Sequence, residues 1–284
     1  MALDERSNVL ARRRVATPRD DYDATLSAIA GLVHAVERDA GASGTVGVGI
    51  PGTISPATGL VKNSNSTWMN GRPLAEDLPR LLGRPARFAN DANCLALSEA
   101  TDGAAAGAPI VFAAILGTGT GGGVVVNGHL LVGCNAIGGE WGHNPLPAPR
   151  GAESPGPACY CGRNGCIETF LSGPALARDY GSAGGETIDA AGIARRAEGG
   201  EARAIECLAR YEDRLARALG SIINVIDPDV IVVGGGLSNI ERLYAAVPKL
   251  WAPYVFSDAV RTRLVRAAHG DSSGVRGAAW LWKE

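Results

Sequence analysis

A chain of 284 residues, 46% hydrophobic and 20% charged, can bury one large core or two ordinary ones and is too apolar to be disordered. A formal net charge of −2 supplies no long-range attraction for nucleic acid, and the single basic cluster, Arg12-Arg13-Arg14, reads as a solvated strand edge. With no apolar run of about 18 residues and no hydrophobic stretch behind Met1, the expectation is a cytoplasmic protein with no membrane partner.

The N-terminus, MAL followed by DERSN and VLARRRVATP, reads as a hairpin whose first strand is a stub. From Tyr22 to Ala40, Leu26, Ile29, Leu32, Val33 and Val36 recur at helical spacing. TVGVGIPG then reads as a strand entering a turn, residues 75–83 and 92–106 as helices, and ARFAN between them as a short strand. IVFAAILGTGTGGGVVVNGHLLVG alternates strands with Gly-rich and Asn-Gly turns, which predicts an antiparallel meander. IETFLSGPALARDY, IDAAGIARRAEGG and EARAIECLARYEDRLARALGSIINVID carry helical periodicity, and DVIVVGGG is a buried strand opening onto a turn and another helix. Strands mixed with crossover helices predict an α/β protein with mixed sheets. The change of pattern near Gly107 places a lobe boundary there, giving lobes 1–107 and 108–284 with a ligand cleft between them.

The segment CYCGRNGC, residues 159–166, concentrates three of the six cysteines. In a reducing compartment a disulfide is disfavoured, and such spacing more often holds a metal or does catalysis. Gly162 and Gly165 stand where a chain folding around an ion needs permissive dihedrals. Zinc takes four tetrahedral N or S ligands, and His143 in GEWGHNPLP is the histidine near enough to complete Cys159, Cys161 and Cys166. Four protein ligands leave no open position, so the zinc is read as structural. His34, His129 and His269 have no ligand-like company, and Cys94, Cys134 and Cys207 read as small hydrophobes.

Two glycine clusters stand at strand ends, Gly117-Thr118-Gly119-Thr120-Gly121-Gly122-Gly123 and Gly234-Gly235-Gly236. Backbone N–H groups in such turns can approach phosphate oxygens, and Thr118 or Thr120 can add a hydroxyl; on turn chemistry alone a tight hairpin accounts for the first cluster more simply. Neither is a Walker A loop. Asn90-Asp91 closes a strand and opens a helix, so the pair is either an N-cap or a carboxylate within reach of a sugar hydroxyl whose proton it accepts. Glu140 and Glu168 flank the zinc ligands and are either surface carboxylates or groups aimed at a polyhydroxy ligand by the metal-fixed backbone.

Taken together, GIPGTISP, KNSNSTWMNG, FANDANC, LGTGTGGGVVVNG, GGEWGHNPLP, CYCGRNGCIETFLSG, DPDVIVVGGGLSN and HGDSSGVRGAAW resemble the ROK family of sugar kinases in order along nearly the whole chain, most of all its bacterial fructokinase (mannofructokinase) members. The resemblance implies a two-lobed actin-like, hexokinase-like (ribonuclease H-like) α/β fold, with the last helix packing back toward the N-terminal lobe. It implies ATP and Mg²⁺ in the cleft, Asp91 as catalytic base, and Gly52, Asn65, Asn90, Glu140, His143 and Glu168 around the hexose. It places Thr118, Gly119, Thr120, Gly121, Gly122, Gly123, Gly234 and Gly235 at ATP, makes His143, Cys159, Cys161 and Cys166 the zinc ligands, and suggests a homodimer. One departure is that family members begin with a strand and an Asp-x-Gly-Gly-Thr phosphate loop, whereas this sequence starts where the second strand would be ending. The reading is therefore an N-terminally truncated sugar kinase whose start lies upstream, or a sugar-binding remnant. Fructose is the expected substrate, from KNSNSTWMNG, with mannose a further possibility. Glucokinase and N-acetylglucosamine or N-acetylmannosamine kinase are the alternatives, and the family's winged-helix repressors are set aside.

Overall fold

The computed structural model describes residues 1–282. Strands β1 (Ala2–Leu3) and β2 (Val9–Ala11) form the expected antiparallel hairpin and precede helix α1 (Tyr22–Ala40). Helix α1 begins where the Asp21 carboxylate accepts the Ala24 N–H and ends at Gly41, whose φ of +66° suits a residue without Cβ. Strand β3 (Val46–Ile50), the hairpin of β4 (Thr53–Ile54) and β5 (Val61–Lys62), helix α2 (Leu74–Leu82) and strand β6 (Ala86–Asn90) follow, β6 lying parallel to β3. Tyr22, Ile50, Leu74 and Leu78 close a small core between these elements.

Helix α3 (Asp91–Thr101) leads into strands β7 (Ile110–Leu116), β8 (Thr120–Val126) and β9 (His129–Leu130), the predicted meander. Helices α4 (Glu168–Leu171), α5 (Gly173–Ser182), α6 (Ala190–Glu198) and α7 (Ala202–Ile226) come next. They are followed by strand β10 (Val230–Gly234), helix α8 (Arg242–Leu250), strand β11 (Arg263–Arg266) and helix α9 (Ser273–Ala279). The larger sheet runs β11-β10-β7-β8-β9, parallel across the first three strands and antiparallel thereafter. Alternation along β7 and β10 sends Phe112, Leu116, Ile231 and Val233 into one core with α5 and α7, and Val111, Ala113, Val230 and Val232 into another beneath α3. Both faces are covered, which is why these strands read as continuous apolar runs. Among the described residues no helix is long and apolar enough to cross a membrane.

Two expected helices differ from those observed. The helix expected over 92–106 ends at Thr101 because the buried Glu99 carboxylate accepts the N–H of Ala104 and turns the chain back. The helical stretch expected over IETFLSGPALARDY is split, because Ser172 is extended (φ −78°, ψ 161°) and its hydroxyl caps α5 by accepting from Ala175 N–H. Glu99 also accepts the N–H groups of Ala268 and His269 and the Ser273 hydroxyl, anchoring the entry to α9.

Helix α9 reaches back across α3 to β3. A methyl on Gly277 would collide with the Cys94 carbonyl of α3, and one on Gly47 of β3 with the Ala278 carbonyl. Trp282 Nε1 donates to Val46 O at 2.7 Å. Backbone against backbone leaves no slack, so Gly277→Ala is expected to destabilise the fold by about 3 kcal/mol. The measurement is the urea midpoint at constant slope; a variant that melts like the parent would mean that α9 can move away from α3 at little cost.

Candidate active site

Asp91 is the first residue of α3, and the cap beneath it is Asn90. The Asn90 side-chain oxygen accepts the Ala92 N–H at 2.9 Å while its Nδ2 donates to Gly52 O at 3.0 Å, tying the end of β6 to the turn after β3. Asn90 thus caps the helix, and Asp91 stands exposed in its first turn. Gly52 has φ +74°, and a Cβ there would strike the carbonyl of Lys62. Asp91 is open to solvent on one side and enclosed by protein on the others, and this desolvation raises its carboxyl above the ordinary aspartate range, against the hydrogen bond from Ala92 N–H.

Glu140 enters from the segment after β9. Gly122, Gly139 and Gly142 let that segment lie flat on β8, since a Cβ on Gly122 would come within 2.8 Å of Gly139 O and one on Gly142 would strike Thr120 O. Trp141 is buried, donates through Nε1 to Gly121 O at 2.7 Å and packs edge-on against Phe112. Partial burial lifts the Glu140 carboxyl above its usual range; Asp91 and Glu168 add to the lift, and His143 and Lys62 oppose it. Glu168 begins α4 and accepts the Thr120 N–H at 2.9 Å. Asp91, Glu140, Glu168 and His143 are therefore gathered at one place, where a ligand rich in hydroxyl donors would be matched by acceptors.

Asn65 is exposed next to the Gly52 turn, on a loop stiffened from within. Asn70 accepts the Ser64 N–H and donates to Ser64 O, both at 2.9 Å, and Trp68 Nε1 donates to Thr25 Oγ1 of α1. Ser64, Trp68 and Asn70 of KNSNSTWMNG are thus held in place, while Asn65 is left exposed.

The two glycine clusters lie side by side at the carboxyl ends of β7 and β10, the end of an α/β sheet where ligands bind. Gly235 has φ +81°, and a side chain there would come within 2.8 Å of the Leu116 carbonyl carbon. Thr118 is exposed at the tip of the first cluster and Gly119 lies against Glu168, whereas Thr120 to Gly123 already belong to β8. Gly123 is packed by Ala92 O of α3 and Gly234 by Leu95, so at Gly122, Gly123 and Gly234 glycine is demanded by packing.

The donor atoms of His143, Cys159, Cys161 and Cys166 all lie within 4.8 Å of one another. Cys159 Sγ is 3.5 Å from His143 Nδ1 and Cys161 Sγ is 3.6 Å from Cys166 Sγ. Tetrahedral zinc with Zn–S bonds of about 2.3 Å would need sulfur–sulfur edges near 3.8 Å, so the donor set fits. The knuckle is formed by the Cys159 N–H donating to Arg163 O and the Gly162 N–H to Cys159 O, with positive φ at Gly162 and Gly165. Arg163 beside Cys161 holds that thiol down, to about 6, in keeping with a thiolate ligand.

Three participants carried no sequence signal that was used. Lys62 Nζ donates to Asn135 O at 2.8 Å and acts on Glu140. Tyr160, between the first two thiols, places its hydroxyl 2.9 Å from His143 Nε2. Arg217 of α7 is only 1% exposed, donates to Pro147 O and Ala148 O at 2.9 Å, and pairs with Glu153 and Asp213, clamping the loop that joins His143 to Cys159. The position of Tyr160 between two ligands was a signal available in the sequence; the Arg217 contacts were not, since nothing local marks which face of a long helix meets a distant loop.

A profile described as the ROK family matches residues 1–284. N-acetyl-D-glucosamine kinase from Photobacterium profundum is 43% identical over 284 residues, covering 99% of this chain and 94% of its own length. Among solved structures, a ROK hexokinase from Thermus thermophilus is similar with a TM-score of 0.84 and 33% identity, covering 95% of this chain and 89% of its own. A ROK family glucokinase from Streptomyces griseus, solved with glucose and AMPPNP, is similar with a TM-score of 0.79 and 26% identity, covering 98% of this chain and 93% of its own. The expected two-lobed hexokinase-like fold is thereby established, while the expected likeness to fructokinases gives way to relatives named for N-acetylglucosamine.

Proposed function

The chain is a sugar kinase belonging to the ROK family, and on that premise we propose that it phosphorylates N-acetyl-D-glucosamine at the 6-hydroxyl, using ATP. The observation that carries the site is the convergence of Asp91, Glu140 and Glu168 with His143 beside the paired glycine turns. The sugar's identity is supported by the 43% identity to a kinase of that name across 99% of the chain.

In this reading the cleft lies between a lobe of residues 1–107 and a lobe of residues 108–284. Glu140, Glu168, Asn65, Asn90 and the Gly52 turn receive hydroxyl groups, and the 6-hydroxyl rests on Asp91. Desolvation makes Asp91 a stronger proton acceptor than a solvated aspartate, and it takes the hydroxyl proton as the oxygen attacks the γ-phosphorus. The backbone of Gly117 to Gly119 and the Thr118 hydroxyl face the phosphates, and Gly234-Gly235 the nucleoside. Mg²⁺ entering with ATP would neutralise charge on the phosphoryl oxygens. Zinc held by His143, Cys159, Cys161 and Cys166 would act on structure, keeping Glu140 and Glu168 aimed at the sugar.

The test is ADP release with N-acetylglucosamine, N-acetylmannosamine, glucose, mannose and fructose at matched concentrations. The highest kcat/KM is expected for N-acetylglucosamine, by about tenfold or more over glucose, the scale a few well-placed polar contacts can supply. A preference for fructose or glucose would overturn the assignment, leaving the family unaffected.

A further inference from the structure

Tyr160 is 83% exposed, yet its hydroxyl is hydrogen-bonded to His143 Nε2 at 2.9 Å and its ring meets the imidazole edge-on, with centroids 5.1 Å apart. The other imidazole nitrogen, Nδ1, faces Cys159 Sγ at 3.5 Å on the ligand side of the knuckle. A zinc held by the knuckle would take the Nδ1 lone pair, which leaves the ring proton on Nε2 to donate to the phenol oxygen. Tyr160 therefore keeps its own hydroxyl proton to donate into the cleft.

That donor differs in kind from its neighbours. Asp91, Glu140 and Glu168 are carboxylates, and ionised carboxylates only accept hydrogen bonds. They suit sugar hydroxyls, which can donate, and they offer nothing to a carbonyl oxygen, which can only accept. The Asn90 amide commits one N–H to Gly52 O and the Lys62 ammonium one to Asn135 O, whereas the phenol of Tyr160 is a neutral hydroxyl donor standing on the metal-site side of the carboxylates. Direction agrees with this chemistry. Glu140 is within the fields of both Asp91 and His143, and Tyr160 stands on His143. In a pyranose ring C2 lies opposite C5, the atom that carries the 6-hydroxymethyl group. A sugar whose 6-hydroxyl rests on Asp91 thus turns its C2 substituent toward His143 and Tyr160.

We propose that Tyr160 recognises the acetamido group at C2, its hydroxyl donating to the carbonyl oxygen and its exposed ring covering the methyl. The proposal rests on the reading of the chain as an N-acetylglucosamine kinase. Tyr160 then determines specificity: glucose, with a hydroxyl at C2, leaves both the phenol proton and the ring face without a partner.

The experiment is calorimetric titration of the zinc-loaded protein with N-acetylglucosamine and with glucose, without nucleotide, for the parent, Tyr160→Phe and Tyr160→Ala. Zinc content is checked in each. Losing the hydroxyl in Tyr160→Phe is expected to reduce the ratio of the two affinities by about fivefold to tenfold, the worth of one neutral hydrogen bond. Tyr160→Ala, which loses the ring as well, reduces it further. A ratio unchanged in both variants overturns the proposal, as does an equal weakening of both sugars, which would make Tyr160 a support for His143 alone. A parent that binds glucose as tightly as N-acetylglucosamine overturns the proposal together with the reading beneath it, and is seen before any variant is made.

Discussion

Asp91→Asn is expected to lower turnover by roughly 10²–10⁴-fold while sugar affinity stays within about threefold, because the change removes proton acceptance and little else. The amide keeps an oxygen for the Ala92 N–H, and the helix cap is supplied by Asn90, so the fold has no reason to fail. Stability supplies a second readout of opposite sign. The folded protein raises the Asp91 pKa, so the ionised carboxylate costs stability above that pKa, and the cost vanishes as acid protonates it. At neutral pH the asparagine variant should melt no lower than the parent, a site that gains stability as it loses function. The acid limb of kcat/KM in the parent should accordingly lie above the ordinary aspartate range. Turnover within a few-fold of the parent would remove Asp91 from the chemistry; lost turnover accompanied by a lower melting temperature would point to a structural role instead.

Cys161→Ser is expected to abolish tight zinc binding, lower stability by about 4 kcal/mol and weaken sugar binding by about tenfold or more. Cys161 is exposed, so its thiol contributes little to packing and the substitution isolates ligation. Its neighbours lie deeper: Cys159 and Cys166 are buried, and Cys166 begins the turn that presents Glu168. Releasing the metal frees one end of the 143–168 segment, while Arg217 and Glu153 continue to hold its middle. The effect on sugar should therefore be large and the effect on α7 small. Metal analysis, thermal melting and sugar titration on one preparation decide the matter. A variant without metal that melts and binds like the parent would show the cluster to be dispensable for the site.

Helices and strands were largely legible, because the spacing of apolar residues records which face is buried and that spacing is local. The breaks at Thr101 and Ser172 were not. In each a side chain accepts a backbone N–H nearby, Glu99 from Ala104 and Ser172 from Ala175, in competition with helix propagation. The expectation of fructose rested on KNSNSTWMNG, where Asn70 is bonded to Ser64 and Trp68 to Thr25 of α1, whereas the relatives that the chain matches are named for N-acetylglucosamine.

What the sequence determined by itself is the chemistry confined to short stretches: the four-donor set of His143, Cys159, Cys161 and Cys166, the cap at Asn90, and the glycines where a turn allows nothing else. Tertiary structure alone decided that Tyr160 rests on His143 and that Arg217 holds the loop joining His143 to Cys159. Metal ligands and caps must satisfy bond lengths over a few residues, so their spacing is written into the chain. The meeting of distant side chains depends on how whole buried faces pack, and no local pattern names the partner of a face.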